Sequence, residues 1–320
     1  MTAWFGRALL AAAAFCLAVP AAAQVIGIGA NAQGTMAYAT AAAIGKAATD
    51  GRQLQARVQP SAGPTVYMPQ IEAGELEAGI VSMVSIHEYL QKQSADAKRN
   101  HNIRLAVILF PLRVGMLVKK DSDIRTVADL RGKRVSGSFP SQINSLWMAE
   151  ATLASAGLSY ADVVVVPAPH VVRGIEDFAA GRSDAAFFAL GAGKVAEVNA
   201  QVGGVRFLSI ENTPRARAGL EKHAPGTYVS AVAPLPALVG VVGPINVVAT
   251  DLTLIAGAKA PEEAVYKLVK ATHEKRAELA AAVPSFREMQ PDQMVKKAAF
   301  EFHPGAVRAY REIGVWPPKE

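Results

Sequence analysis

Two short polar loops hold most of the residues in this sequence that could do chemistry. The first is Gly29-Ala30-Asn31-Ala32-Gln33-Gly34-Thr35-Met36-Ala37-Tyr38. The second is Ser136-Gly137-Ser138-Phe139-Pro140-Ser141-Gln142-Ile143-Asn144. Each follows a short apolar run and precedes residues of helix-forming composition. A loop at such a junction offers side-chain hydroxyls and amides beside the free backbone N–H groups of a helix start. That set suits a carboxylate or phosphate. Gly27-Ile28-Gly29-Ala30-Asn31-Ala32 also fits the G-x-G-x-x-G/A dinucleotide fingerprint, which keeps a secreted nicotinamide-dependent enzyme open as a remote alternative. The fingerprint wants an acid at the end of the second strand, and that strand runs out at Gln59-Pro60. No G-x-S-x-G elbow occurs, since Gly137-Ser138-Phe139-Pro140-Ser141 misses it. The six histidines show no metal-ligand spacing, so neither a metal nor a cofactor is expected.

The elements that would position these loops repeat one grammar. Val25–Gly29 reads as a buried strand, and a helix follows from Thr35 to about Ala48, ended near Asp50-Gly51. Leu54–Gln59 alternates like a strand and runs into the turn Pro60–Pro64, which opens a second helix. Ile80–Ser82 is a third short strand that delivers Ser82 and Ser85 to the same sheet edge. Three strand-to-helix connections in a row define parallel strands with crossover helices, and ligands of such sheets sit beyond the strands' carboxyl ends. Ile103–Phe110 and Arg113–Lys119 are two apolar runs parted by Pro111, expected as the crossing into a second unit. There the grammar resumes, with strands at about Val135, Val163–Val166 (read as buried) and Asp184–Ala189, and helices from Asn144 and Val171. Ala237–Thr250 reads as the route back. Gln290–Phe300 and Pro304–Ile313 are expected as closing surface helices.

Composition sets limits. The first twenty-three residues carry Arg7, an apolar run from Ala8 to Val19 and the small residues Ala21-Ala22-Ala23, the pattern of a cleaved secretory signal peptide. Phe15 before Cys16 and the better site at Ala21–Ala23 argue against lipidation. Cys16 is the single cysteine, so disulfides and thiol catalysis are excluded from the remainder. The 51% hydrophobic content supplies a core. The formal charge of +6 is scattered, which argues weakly for an anionic ligand and against nucleic acid.

At this point the chain resembles the TAXI family, the extracytoplasmic solute receptors of certain tripartite ATP-independent periplasmic (TRAP) transporters. Gly29–Tyr38 stands where that family has a glycine- and threonine-rich loop with an aromatic pair. Ser61-Ala62-Gly63 stands at its Thr/Ser-Gly-Gly turn, and Glu72–Ile80 at its Ala-Gly-Glu helix end and short strand. Ala128–Val135, Ala156-Gly157-Leu158, Gly181–Phe188, Ala224–Tyr228 and His303–Tyr310 follow in the family's order. The segment Asp129–Val135 is shared by many type II periplasmic binding proteins. Asn31, Gln33 and Met36 depart from the family pattern at positions that would face a ligand.

The resemblance implies an α/β, two-lobed type II periplasmic-binding-protein fold. Each lobe would be a mixed, mostly parallel sheet flanked by helices, with the ligand cleft between lobes. Residues 24–111 and 237–320 would form lobe 1 and residues 112–236 lobe 2. It implies a periplasmic, monomeric receptor without catalytic activity that closes like a flytrap on a small carboxylate-bearing solute, a dicarboxylate or an amino acid such as glutamate. It would hand that solute to TRAP membrane subunits; a ligand-sensing subunit of a signalling system is the alternative. The expected ligand-binding residues are Asn31, Gln33, Gly34, Thr35, Tyr38, Ser61, Gly63, Ser82, Ser85, Phe139, Ser141, Gln142, Asn144, Arg173, Phe188 and Tyr228. Arg113 and Arg173 are candidates for pairing with a carboxylate.

Overall fold

The computed structural model describes residues 24–50, 54–96 and 101–318. The expected signal peptide and the expected helix stop at Gly51 lie outside the described residues. The first elements are β1 (Gln24–Asn31), α1 (Met36–Thr49), β2 (Leu54–Ser61), α2 (Pro64–Ala73), β3 (Ala78–Ser82), α3 (Met83–Gln91) and the long β4 (Ile103–Lys119). Then come β5 (Arg134–Ser138), α4 (Ile143–Ser155), β6 (Val164–Ala168), α5 (Val171–Ala179), β7 (Ala185–Ala189), α6 (Gly193–Gln201) and β8 (Val205–Phe207). The chain closes with α7 (Pro214–His223), β9 (Tyr228–Val232), β10 (Ile245–Gly257), α8 (Glu262–Glu274), α9 (Arg276–Ala282) and α10 (Pro304–Ile313).

The strands lie in the order β2-β1-β3-β10-β4-β7-β5-β6, with β8 on β4 and β9 on β10. The pairs β1–β2, β1–β3, β5–β6 and β5–β7 are parallel, as strand-helix-strand crossovers require. Pairings made by β4 and β10 are antiparallel. This is a mixed α/β, two-lobed periplasmic-binding-protein fold. β4 and β10 are the two strands that run through both lobes. Their pairing extends from Val248↔Val114 to Gly257↔Ile103, with register shifts between Leu252 and Thr253 and between Leu254 and Ile255. Such irregularities bend a ladder. Pro111 does not divide β4: it sits opposite Asp251 within one continuous strand.

Two apolar cores flank this crossing. One gathers Ile26, Ile28, Ile44, Leu254, Leu268 and Tyr310 in the first lobe. The other gathers Val118, Leu130, Val135, Phe139, Phe178 and Phe187 in the second. Val241, Val247 and Val248 pack into the second core, and the Phe207 amide donates to the Gly240 carbonyl at 2.9 Å. β10 thus packs its first part, through Val247 and Val248, into one core and its later part, through Leu252, Leu254 and Ala256, into the other.

Two expectations need correction. Val163–Val166 was expected as a buried strand, yet Val164 is 53% and Val165 38% exposed, because β6 is the outermost strand beyond β5. A parallel-sheet strand at the end of the order has one neighbour, and its apolar composition alone does not bury it. Gln290–Phe300 forms only a short 3₁₀ turn at Pro291–Val295, and the chain then continues without helix through a bend at Ala299 and Phe300 until Phe302 bridges to Leu105. Pro304–Ile313 is helical as expected, but Tyr310 on it is fully buried and donates to the Ala106 carbonyl at 2.7 Å.

Candidate ligand cleft

The two polar loops line one cavity. β1 ends at Asn31, and the turn through Gly34 takes a left-handed backbone at φ 86°, which glycine adopts without strain. The Thr35 hydroxyl donates to the Ala32 carbonyl at 2.7 Å and accepts the Tyr38 amide at 3.2 Å, so this side chain caps α1. The amides of Met36 and Ala37, in the first turn of α1, have no acceptor inside the helix. In the second lobe β5 ends in two consecutive non-glycine residues of positive φ, Ser138 at 75° and Phe139 at 41°. Such conformations cost energy and persist only where surrounding contacts enforce them. Here the Phe139 ring is fully buried and its amide donates to the Ala168 carbonyl at 3.0 Å. The loop then turns into α4, whose N-cap residue Gln142 makes no side-chain bond to the helix.

Each loop also bonds to an element of the opposite lobe. The Thr65 hydroxyl donates to the Ser141 carbonyl at 2.9 Å, and the Lys194 amide donates to the Gly34 carbonyl at 3.1 Å. Gly63 lies so close to Ser141 that a Cβ added there would stand 1.9 Å from the Ser141 carbonyl oxygen. Between the loops is a cavity of about 50 Å³ lined by Asn31, Thr35, Met36, Ala37, Leu112, Val114, Asn144, Ser145, Met148, Val171, Phe187, Phe188 and Ala189. These residues come from both lobes and from the crossing strand β4. Asn144 is only 5% exposed; its amide nitrogen reaches Ser82 Oγ at a long 3.4 Å, and its carbonyl oxygen has no hydrogen-bond partner. Facing it from the first lobe, Asn31 Oδ1 lies 3.3 Å from the Tyr67 hydroxyl, which donates more closely to the Ile80 carbonyl at 2.6 Å. Burial raises the Tyr67 pKa well above its ordinary range, so this phenol stays protonated.

The expected site residues therefore separate into groups. Asn31, Thr35, Asn144 and Phe188 line the cavity, while Gly34, Gly63 and Ser141 make the contacts that close it. Gln142 supports it from behind, its Oε1 accepting the Val171 amide at 2.9 Å. Ser82 and Ser85 are buried, 2.9 Å apart, with Ser82 capping α3. The Ser61 hydroxyl is turned back to the Ala30 and Gly63 carbonyls at 3.4 and 3.3 Å. Gln33 is exposed and donates to the Tyr38 hydroxyl at 3.1 Å, outside the cavity lining.

Arg173, Tyr228 and Phe139 stand elsewhere. Arg173 is bound to Asp177 one helical turn on, at 2.9 Å. Tyr228 begins β9 and donates to Asp251 Oδ1 at 3.2 Å, lining a separate groove with Arg217 and Glu221. Phe139 belongs to the second core. Arg113 is held by Glu288 through two bonds of 2.6 and 2.7 Å and by Ser230 at 2.9 Å. Alternation along β4 explains this: Leu112 and Val114 face the cavity, and Arg113 between them faces away.

Met36, expected to face a ligand, lines the cavity; sequence reasoning missed the other apolar walls Leu112, Val114, Met148, Val171 and Phe187. Two signals point to them: the alternation about Arg113, and Met148 lying one turn after Asn144 on the same helix face.

The glycines of the dinucleotide fingerprint have another use. Gly27 and Gly29 lie inside β1, not in the turn after it, and a Cβ on Gly29 would meet Tyr67 at 2.8 Å. The Gly27 amide is taken by Glu77 Oε2 at 2.7 Å. The fingerprint match thus reflects close packing within the first lobe.

Among solved structures, the chain is similar to the alkanesulfonate-binding protein of Xanthomonas axonopodis pv. citri bound to MOPS. The identity is 15%, the match covers 90% of each chain, and the TM-score is 0.51. It is also similar to an amino acid ABC transporter substrate-binding protein of Streptococcus pneumoniae bound to L-arginine, at 12% identity over 82% of this chain and 95% of that one, with a TM-score of 0.50. These likenesses bear on the fold. The sequence of residues 28–314 matches the profile of the NMT1-like family, and the chain belongs to that family.

Proposed function

We propose that this protein is an extracytoplasmic solute receptor. It captures a small carboxylate-bearing solute between its lobes in the periplasm and delivers it to the membrane subunits of a TRAP-type secondary transporter, working as a monomer and catalysing no reaction. The observation that carries the reading is Asn144: a buried carbonyl oxygen without a partner, in a cavity whose walls come from both lobes. Leaving such an acceptor bare costs about 1–3 kcal/mol, so a site retaining it gains when a ligand supplies the donor. A ligand touching both loops is bound fully only when the lobes are together and so shifts the population toward the closed form.

We place the hinge where β4 and β10 pass between lobes, near Leu112 and Thr250. Residues 24–111 with the chain after Thr250 then move against the segment from Leu112 to Ala249. Similarity to a sulfonate binder and an amino acid binder supports the solute-receptor reading at the level of fold. The first test is a thermal-shift screen of carboxylates, sulfonates and amino acids, because a binder stabilises by mass action. A saturable stabilisation without chemical change in the solute is expected; turnover of any screened compound would overturn the reading. Delivery is tested by solute uptake in cells carrying TRAP membrane subunits with and without this protein. Uptake indifferent to its presence would remove the transport part.

A further inference from the structure

The cavity has a charge pattern that narrows its ligand. Among the described residues lining it there is no Lys, Arg, Asp, Glu or His. Two neighbouring cations are committed elsewhere: Lys194, whose amide bonds Gly34, pairs with Glu176 at 3.0 Å and Glu197 at 2.8 Å, and Arg113, between the lining residues Leu112 and Val114, pairs with Glu288. Positive potential comes instead from the starts of α1 and α4, helices of 14 and 13 residues that enter the cavity from opposite lobes at Met36 and Asn144. Each start is equivalent to roughly half an elementary charge, and the two together to about one. Beside them stands the unpartnered Asn144 carbonyl oxygen on a side chain 95% buried, and Asn31 on the other side. The remaining wall is apolar: Met36, Leu112, Val114, Met148, Phe187 and Phe188.

Resting on the cleft reading above, we propose that this cleft takes a small hydroxyl-bearing monocarboxylate with an otherwise apolar body and without an ammonium group. One carboxylate matches the two helix starts. A second would be desolvated against methionine and phenylalanine side chains with no counter-charge. An ammonium group would lie in the positive field of both helix starts and find no carboxylate among the lining residues. The cavity of about 50 Å³ is small against the roughly 300 Å³ at which pockets for drug-sized molecules begin, which favours a body of a few carbons. Asn144 Oδ1 accepts the ligand's hydroxyl, the donor its buried position lacks.

Titration calorimetry at neutral pH with four probes of equal carbon count tests this: butyrate, 2-hydroxybutyrate, 2-aminobutyrate and succinate. 2-Hydroxybutyrate is expected to bind at least about tenfold more tightly than 2-aminobutyrate and succinate, and more tightly than butyrate, which brings no donor for Asn144. Equal or tighter binding of butyrate, succinate or 2-aminobutyrate, or no binding of any probe, overturns the proposal. Asn144→Asp, and independently Asn31→Asp, places a carboxylate in the cavity. Each is expected to weaken the monocarboxylate about tenfold and to narrow or reverse its lead over 2-aminobutyrate. If both substitutions leave every affinity unchanged, the probes bind outside the cleft and the cleft reading fails too. Preference for succinate or 2-aminobutyrate that these substitutions alter overturns only the charge class.

Discussion

The Lys194 amide, at the start of α6 in the second lobe, donates to the Gly34 carbonyl in the first-lobe loop at 3.1 Å. This bond joins residues 160 positions apart, and with the Thr65–Ser141 bond it defines a state in which the two jaws touch.

Gly63 is where that state is most sensitive to side-chain volume. Its backbone is extended, so alanine fits the local conformation, yet its Cβ would stand 1.9 Å from the Ser141 carbonyl oxygen and 2.5 Å from Gln142 Cγ. Gly63→Ala is therefore expected to oppose closure more than folding. Apparent ligand affinity should fall about tenfold or more, because the competent closed state is less populated. Small-angle scattering should show the wild type compacting with ligand and the variant not. Full compaction of the variant at unchanged affinity would contradict this.

Arg113 joins β4, β9 and the segment Pro284–Glu288 through its bonds to Ser230 and Glu288, with its side chain 20% exposed. Arg113→Met should lower unfolding free energy by about 1–2 kcal/mol in urea titrations, since a bidentate, half-buried pair is lost. Ligand affinity should stay within about twofold, because the guanidinium faces away from the cavity. Unchanged stability with a large loss of affinity would make Arg113 a ligand contact.

Burial lowers the pKa of His303, whose Nδ1 accepts the Gly305 amide at 3.1 Å at the start of α10. Burial also lowers those of His87, His170 and His273. A histidine whose folded pKa lies below its ordinary 6.5 binds fewer protons folded than unfolded. Stability is then full above 6.5 and declines as pH falls below it toward the folded value. The thermal midpoint should therefore drop on acidification below pH 6.5, before carboxylates titrate. His303→Asn keeps a capping side chain without the titration and should flatten part of that decline. An identical profile in the variant would assign the slope to the other groups.

Val164 on the outer strand is 53% exposed, whereas Val135 on the adjacent β5 is fully buried. Val164→Thr should change stability by less than about 0.5 kcal/mol, and Val135→Ala should cost about 1–3 kcal/mol. Equal costs in chemical denaturation would mean that β6 is covered in solution.

The order of strands and helices was legible because strand-to-helix junctions carry local signals. Thr35 caps α1, Gly34 makes the turn before it, and Pro64 opens α2. Asn31 and Asn144 were legible as cavity residues for the same reason, since both sit at carboxyl ends of strands or starts of helices. What depends on lateral neighbours was not. Val163–Val166 has a core composition but no neighbour beyond it. Arg173 and Tyr228 have ligand-like chemistry, yet Asp177 and Asp251 hold them elsewhere. The apolar walls escaped notice because Leu112, Met148 and Phe187 look like ordinary core until both lobes are in place.

The central claim is that a solute completes the hydrogen bonding of Asn144 between the lobes. Calorimetric titration of wild type and Asn144→Ala with the solute that stabilises the protein most in the screen tests it directly. One-to-one binding weakened about tenfold or more in the variant, whose ligand-free thermal midpoint stays near that of the wild type, is the predicted result. Equal affinity in the two proteins would contradict the account.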